Sequence, residues 1–234
     1  MSVTSKDIIY IDNKIIVVNK PAGVTTVQNK SGKPDLTMLV SSYLKEKTGY
    51  PPKFIAACNR LDRDTSGIVV IALKKSAASH VNEQFEKRKA VKHYVALCSR
   101  TPLAGHKPID PEKAKGKIDG YLKEVSKLRF VLTDKKEGSL KHSLTYYETC
   151  SFNKNSDVLK FILSPKTGRT HQLRVHLKSI GYPILGDPFY GETVVNGYNG
   201  RMYLHAFRLE IAHPESGEKM VFTAPSEEFE VFDT

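Results

Sequence analysis

Short apolar runs bounded by turn residues mark the first third of the chain. Ile8–Tyr10 and Ile15–Val18 flank Asp12-Asn13, and Ile68–Leu73 follows a polar stretch. Runs of this length that are rich in β-branched residues are typical of buried strands. The pattern therefore predicts an early hairpin and one further buried strand.

Three other segments place apolar residues at helical spacing. In the first, Asp35 is positioned to cap the N-terminus and Gly49 ends the helix before two prolines. The second, capped by Ser76, continues to about Arg88, and the third begins near Thr170. These segments predict three amphipathic helices.

Most of the remaining chain is predicted to form strands. Leu128–Thr133 and Ser143–Glu148 are expected to pair as one hairpin, and Phe207–Ala212 and Met220–Thr223 as another. Thr101–Gly120, which is rich in Pro and Gly, is predicted to be a long exposed connection. Because strands adjacent in sequence tend to pair, the fold class is predicted to be α+β, with a large, mostly antiparallel mixed sheet and a few helices in a single domain over residues 1–234.

The charge balance of the chain indicates a polyanionic binding partner. Thirty-six Lys and Arg against 25 Asp and Glu give a formal net charge of +11 at pH 7. Such a surplus favours nucleic acid or an anionic membrane surface. We expect a cytoplasmic protein that does not bind membranes, since the sequence lacks an apolar leader, a spanning segment and a basic amphipathic helix with exposed large apolar residues.

A dense polar stretch, Asn59–Gly67, interrupts two apolar runs and holds the first candidate site. Asp62 lies between Arg60 and Arg63, and opposite charges nearby keep a carboxylate ionised. A fixed, ionised aspartate can act as a nucleophile or as a base. The alternative is a structural turn held by ion pairs, and these nine residues alone do not decide between the two.

Two further candidates lie outside this stretch. In the predicted strand Val91–Leu97, Tyr94 points away from the face shared by the alternate residues, although packing is the commoner role of a strand tyrosine. In Lys166–Leu177, the third helix places His171 and Arg174 on one polar stripe. The histidines and cysteines show no metal-ligand spacing, so neither a metal nor another cofactor is expected.

Taken together, these motifs resemble the RluA-type family of RNA pseudouridine synthases. The resemblance rests on Asn59–Gly67, Lys92–Ala96, Lys166–Leu177 and Gly181–Asp187, and it extends from Val17 to Ala206 in the order of the family's motifs. It implies one catalytic domain on a bent mixed sheet, an RNA-binding cleft and no cofactor. Since only about seven residues precede the first predicted strand, we expect the chain to lack the small N-terminal RNA-binding domain of some relatives.

The resemblance also implies roles for particular residues. Asp62 matches the catalytic aspartate, Tyr94 the active-site tyrosine, and Arg174 the basic residue that pairs with the aspartate. Arg60 matches the arginine that helps to displace the target base. Asn59 replaces the histidine found in most members. With Arg63, Thr65 and His171, these two residues form the predicted substrate-binding set.

The reaction implied by the family needs a flipped nucleotide held away from water, because the uracil is detached, turned and rejoined through C5. Asp62 would act either as the nucleophile at C1′ or as the base at C2′. The substrate is expected to be ribosomal or transfer RNA, and the enzyme a monomer that needs no protein partner. The alternative function is a non-catalytic RNA-binding protein or chaperone, which an acidic group facing phosphates would disfavour.

Overall fold

A computed structural model of the chain describes residues 2–27, 32–150, 157–191, 198 and 200–230. The chain divides into two compact units, Met1–Lys92 with Ala206–Thr234, and His93–His205. Each unit combines strands with at least one helix, so the α+β class predicted from the sequence is confirmed. A single domain spanning both units stays a prediction.

The regular elements are numbered in chain order. The strands are β1 Ile8–Ile11, β2 Ile15–Lys20, β3 Ala56–Ala57, β4 Ser66–Ala72, β5 Val91–Ser99, β6 Lys115–Ser126, β7 Arg129–Thr133, β8 Lys141–Cys150, β9 Val158–Pro165, β10 Leu204–Ala212 and β11 Lys219–Thr223. The helices are α1 Leu36–Thr48, α2 Lys75–Glu86 and α3 Gln172–Ser179. None of the helices in the described part of the chain has the length and apolar character needed to cross a bilayer.

The first unit is built on β2 and β4, which pair antiparallel from Ile15 opposite Ala72 to Lys20 opposite Gly67. The predicted hairpins β1–β2 and β10–β11 are confirmed, and the strands follow one another in the order β1, β2, β4, β10. Every residue of β4 is buried, as expected for a continuous β-branched run. This buried strand leads directly out of the loop that carries Asp62.

Helix α1 has the predicted ends. The Asp35 carboxylate accepts from the Met38 N–H at 3.0 Å, and Gly49 closes the helix with φ 82°. Helix α2 begins earlier than predicted, because the Lys74 carbonyl already accepts from the Ala78 N–H at 3.0 Å. Ser76 therefore lies inside the first turn, and its assignment as the N-cap was wrong.

The second unit contains an antiparallel sheet in the order β5, β9, β8, β6, β7. Two predictions were wrong here. Lys115–Gly120, expected to belong to an exposed connection, forms the first half of β6. Leu128–Thr133 was expected to pair with Ser143–Glu148, but β7 pairs with β6. The cause is a tight turn without a glycine, in which Leu128 itself adopts a left-handed φ of 61°.

A substitution at Gly67, near the start of β4, tests how closely β4 packs within the first unit. A Cβ there would lie 2.3 Å from the Ala206 carbonyl oxygen, and its φ of +114° disfavours any side chain. We expect Gly67→Ala to lower the free energy of unfolding by about 3 kcal/mol, measured by urea denaturation. Gly200→Ala, whose Cβ would meet no atom within 4 Å, is the control. Equal urea midpoints for both variants would contradict this packing.

Candidate functional site

The loop between β3 and β4 carries Asp62 and is fixed by a buried lysine. Lys20 is 0% exposed, and its ammonium donates to the carbonyls of Pro21, Val24 and Arg63 at 2.9, 2.8 and 3.0 Å. A desolvated ammonium without acceptors would cost several kcal/mol. The carbonyl of the residue that follows Asp62 is therefore held to the end of β2.

Two polar side chains hold the rest of this loop. The Thr26 hydroxyl donates to the Leu61 carbonyl at 2.9 Å and accepts from the Leu61 N–H at 3.1 Å. The Asn59 amide donates to the Ile68 carbonyl at 3.1 Å and accepts from the Val70 N–H at 2.8 Å. The backbone is thus fixed on both sides of Asp62, so the half-buried carboxylate starts from a defined position.

The other predicted residues of the loop differ in their surroundings. Arg60 is exposed and Thr65 is buried, with its N–H donating to the Asp62 carbonyl at 3.2 Å. Arg63 was expected to help keep the Asp62 carboxylate ionised. In the structure it donates to Asp64 through Nε at 2.9 Å and Nη2 at 3.1 Å. Hydrogen bonding to Asp64 raises the pKa of the Arg63 guanidinium. This pairing of Arg63 with Asp64 was not predicted from the sequence.

In the second unit, Tyr94 is half-buried on β5 and lies opposite Leu163 of β9. Tyr147 of β8 also lies opposite Leu163. Directly opposed residues of antiparallel strands share a face, so these three side chains lie on one face of the sheet. We call it the Tyr94 face.

Two buried polar side chains attach helix α3 to this face. The Gln172 amide donates to the Leu144 carbonyl and the Thr145 hydroxyl at 3.1 and 3.0 Å, and its oxygen accepts from Thr167 at 2.7 Å. One turn later, His176 Nε2 lies 2.9 Å from the Ser143 hydroxyl. Ser143 and Thr145 belong to the Tyr94 face, since alternate residues of β8 point the same way. Helix α3 is therefore anchored to β8 at its first residue and again one turn later.

The hydroxyl of Ser143 fixes the proton position on His176. This hydroxyl donates to the Gly120 carbonyl at 3.0 Å, so its oxygen accepts from Nε2–H of the imidazole. Nδ1 then carries a lone pair, and it has no hydrogen-bond partner in the described part of the chain. Burial lowers the pKa of His176 to about 4, with Asp119 opposing this shift and His142 adding to it.

Arg174, between these two anchors, forms a buried ion pair with Asp187. Nε and Nη2 each lie 2.7 Å from one carboxylate oxygen, and the two side chains are 4% and 0% exposed. The same carboxylate accepts from the N–H groups of Phe189 and Tyr190 at 2.9 and 3.1 Å. Both aromatic rings lie beside the guanidinium, with centroids 5.3 and 5.1 Å from its carbon. The charged head of Arg174 is therefore held in a fixed orientation.

His171, a predicted substrate-binding residue immediately before α3, belongs to this aromatic cluster. Its Nδ1 lies 3.0 Å from the Tyr190 hydroxyl, and its ring stacks on Phe189 with centroids 5.7 Å apart. The Tyr190 hydroxyl also accepts from the Phe130 N–H at 3.0 Å, which links β7 to the start of α3. His171 adopts a left-handed φ of 55° at the N-cap position. A contact of His171 with substrate stays a prediction.

Several residues that hold the predicted ones in place were not predicted from the sequence. Lys20, Asp187 and Tyr190 all lie within or beside motifs of the family resemblance, but no role was assigned to them. Their signal was a charged or polar group in an otherwise apolar stretch, which calls for a buried partner. Within the described residues, no group of three or more His, Cys, Asp or Glu side chains is placed to hold a metal ion.

Comparison with solved structures identifies the fold. The structure named human RNA pseudouridylate synthase domain containing 4 matches with a TM-score of 0.73 and 25% identity, over 97% of this chain and 91% of that one. Human RNA pseudouridylate synthase domain containing 1 matches with a TM-score of 0.68, 29% identity and 97% and 86% coverage. The fold is that of the RNA pseudouridylate synthases.

Sequence comparisons narrow this class. A family model described as RNA pseudouridylate synthase matches residues 14–179. The chain is 37% identical to the dual-specificity RNA pseudouridine synthase RluA of Haemophilus influenzae, over 94% of this chain and 93% of the relative. With RluA of Escherichia coli the identity is 33%, with 94% and 93% coverage. The chain belongs to the RluA-type family of RNA pseudouridine synthases, as its motifs indicated.

Coupling between Arg174 and Asp187 can be measured by a double-mutant cycle. Arg174→Met leaves a buried carboxylate without its cation, and Asp187→Asn leaves a buried cation without its carboxylate. We expect each single variant to lose about 3–5 kcal/mol of stability, and the double variant to lose clearly less than their sum. Additive losses in denaturant titrations would contradict a direct ion pair.

The pKa of His176 predicts a dependence of stability on pH. An unfolded histidine titrates near pH 6.5. The stability that the neutral, buried His176 contributes is therefore fully present above about pH 6.5. It is lost as the pH falls toward about 4, where His176 in the folded protein titrates. Between pH 7 and pH 5, we expect the parent to lose about 2 kcal/mol more stability than His176→Gln. Chemical denaturation at both pH values measures this, with the exposed His80→Gln as control. Equal losses in parent and His176→Gln would contradict a buried neutral imidazole.

Proposed function

We propose that this chain isomerises specific uridines of ribosomal or transfer RNA to pseudouridine, with Asp62 as the catalytic carboxylate. The reaction class follows from family membership, since relatives matched along 94% of the chain are RNA pseudouridine synthases. The observation that carries the assignment of Asp62 is the loop Asn59–Gly67, which has the family's motif and is held rigidly by Lys20 and Thr26. A defined position is what a reacting group needs.

Each step of the reaction needs a fixed group at the sugar or the base. Asp62 acts on the sugar, either attacking C1′ or removing the proton at C2′, so that the N1–C1′ bond breaks. The uracil turns while bound, and C5 then joins C1′. In the first case the Asp62–C1′ bond breaks as C5 attacks, and in the second case Asp62 returns its proton to C2′. The C5 proton leaves last, and Tyr94 takes it directly or through a water molecule while its ring stacks on the base.

Arg174 supplies the positive charge of this site in the proposal, as the partner of Asp62. Its bidentate pair with Asp187 supports such a role, because it fixes the guanidinium in one orientation. A pre-oriented cation loses little further freedom when it stabilises a carboxylate or a developing charge.

The substrate-binding residues complete the proposal. Arg60, which is exposed, helps to displace the target base from its stack. Arg63 and Asn59 belong to the same loop and bind the substrate from there, and Thr65 fixes the backbone of this loop. His171 binds the substrate from the start of α3. The enzyme works as a cytoplasmic monomer without a cofactor or a required protein partner.

The relatives' names suggest the range of substrates. Those of Haemophilus influenzae and Escherichia coli are called dual-specificity enzymes, and one from Buchnera aphidicola, 34% identical, is called ribosomal large subunit pseudouridine synthase C. The present chain spans 93% of the first two relatives but 66% of the third. We therefore propose that this chain also modifies more than one RNA.

A non-catalytic RNA-binding function is not favoured. A binding protein gains nothing from an aspartate held rigidly beside arginines, because a carboxylate near phosphates weakens binding. Family membership over nearly the whole chain points the same way.

The decisive test is release of tritium from RNA that carries [5-³H]uridine, prepared from cells lacking this protein. We expect Asp62→Asn to abolish release while its affinity for RNA stays within about threefold of the parent, since Asp62 acts in the reaction and not in binding. Asp64→Asn, two residues away on the same loop and paired with Arg63, is the matched control and should retain turnover. Normal release by Asp62→Asn would remove Asp62 from the mechanism.

A further inference from the structure

An open groove of about 440 Å³ lies on the sheet of the second unit. Two cross-strand rows over β6, β8 and β9 supply most of its lining, and Gly116 and Tyr147, which lie between these rows, complete it. The rows are Lys117, Tyr146 and Ser164, and Lys115, Glu148 and Ile162. A pocket of this size is large enough for a small organic group such as a nucleotide.

The side chains of these two rows point to the side of the sheet opposite to the Tyr94 face. Tyr94 and Tyr147 both lie opposite Leu163, whereas the groove residue Ser164 is the next residue of β9 and pairs with Tyr146. Successive residues of a strand point to opposite faces. The groove is therefore separate from the candidate site on α3, and the reaction does not account for it.

The side chains of the groove combine an aromatic ring with cations. Tyr146 is 44% exposed, and the Lys166 ammonium lies 5.8 Å from the centre of its ring. Lys117 lies directly opposite Tyr146 on β6. An exposed aromatic ring flanked by lysines is the arrangement with which proteins stack single-stranded bases and hold their phosphates.

The acidic side chains near these lysines do not prevent the lysines from binding phosphates. Lys117 lies 3.5 Å from Asp119, and Lys115 lies 2.8 Å from Glu148, with the lysine side chains 61% and 76% exposed. Ion pairs this exposed contribute little and exchange readily with other anions. Glu148 also offers a hydrogen-bond acceptor beside the ring, suited to the amino group of a base.

We propose that this groove binds an unpaired nucleotide of the RNA substrate, at a distance from the uridine that reacts. The base stacks on Tyr146, and Lys117 and Lys166 contact the flanking phosphates. RNA is the occupant that fits the net charge of +11 and the combination of aromatic ring and lysines. Its identity as the enzyme's own substrate rests on the proposed function, whereas binding of single-stranded RNA does not.

The first measurement is binding of a fluorescent single-stranded oligoribonucleotide that contains no uridine, so that the reaction site has no target. We expect Tyr146→Ala to weaken binding about tenfold, and Tyr146→Phe, which keeps the ring, to restore it. Lys117→Gln with Lys166→Gln should lower the slope of log affinity against log salt by about 1.4, or 0.7 for each lost phosphate contact.

Helix α1 of the first unit provides a matched control. Lys47 there lies 5.9 Å from the centre of the Tyr43 ring, which gives the same residue pair outside the groove. Tyr43→Ala should leave binding unchanged. Equal losses in Tyr43→Ala and Tyr146→Ala, or no loss in Tyr146→Ala, would overturn the proposal. Weakened binding of double-stranded RNA to the same extent would show general surface attraction and would also overturn it.

Turnover separates this proposal from the proposed function. With full-length RNA, Tyr146→Ala should raise KM about tenfold and leave kcat unchanged, because the groove binds substrate away from the reacting atoms. If the parent releases no tritium, the proposed function fails, while the uridine-free binding assay still decides on the groove. If the parent is active and Tyr146→Ala has the parental KM and affinity, the groove proposal alone fails.

Discussion

The burial of the Lys20 ammonium is the constraint on which the candidate site of the first unit depends. A charge fully removed from water must keep its acceptors, and one of these is the carbonyl of Arg63, next to Asp62. If the loop moved away from β2, this buried charge would lose one of its carbonyl acceptors. The position of a carboxylate is thus set by a cation bonded to the backbone beside it.

The second unit applies the same principle to a cation. Arg174 is fixed because Asp187 is buried with it, and Asp187 is fixed because it also caps the N–H groups of a turn that carries two aromatic rings. Gln172 and His176 then hold the whole helix to β8. Removing any one of these polar groups takes a hydrogen-bond partner from another buried group, so the cluster is most stable when complete.

Capping and turn residues in the sequence correctly predicted the helix and the hairpins whose ends those residues form. Asp35 and Gly49 define α1, and turn residues define the β1–β2 and β10–β11 hairpins. Family motifs selected the candidate residues and predicted the fold and reaction class. The pairing of β7 was missed because Leu128 supplies a left-handed turn that its residue type does not indicate. The ion pair of Arg174 with Asp187 was missed because Asp187 lies beyond a helix end and a turn, and only the folded chain brings the two together.

The replacement of the family's usual histidine by Asn59 has a consequence for the loop that carries Asp62. The amide of Asn59 donates to Ile68 and accepts from Val70 without any titratable proton. An imidazole can donate and accept at once only while it is neutral, so a histidine there would lose its acceptor nitrogen on protonation. In this chain the hydrogen bonds that attach the loop to β4 do not depend on proton uptake, so they persist under mild acidification.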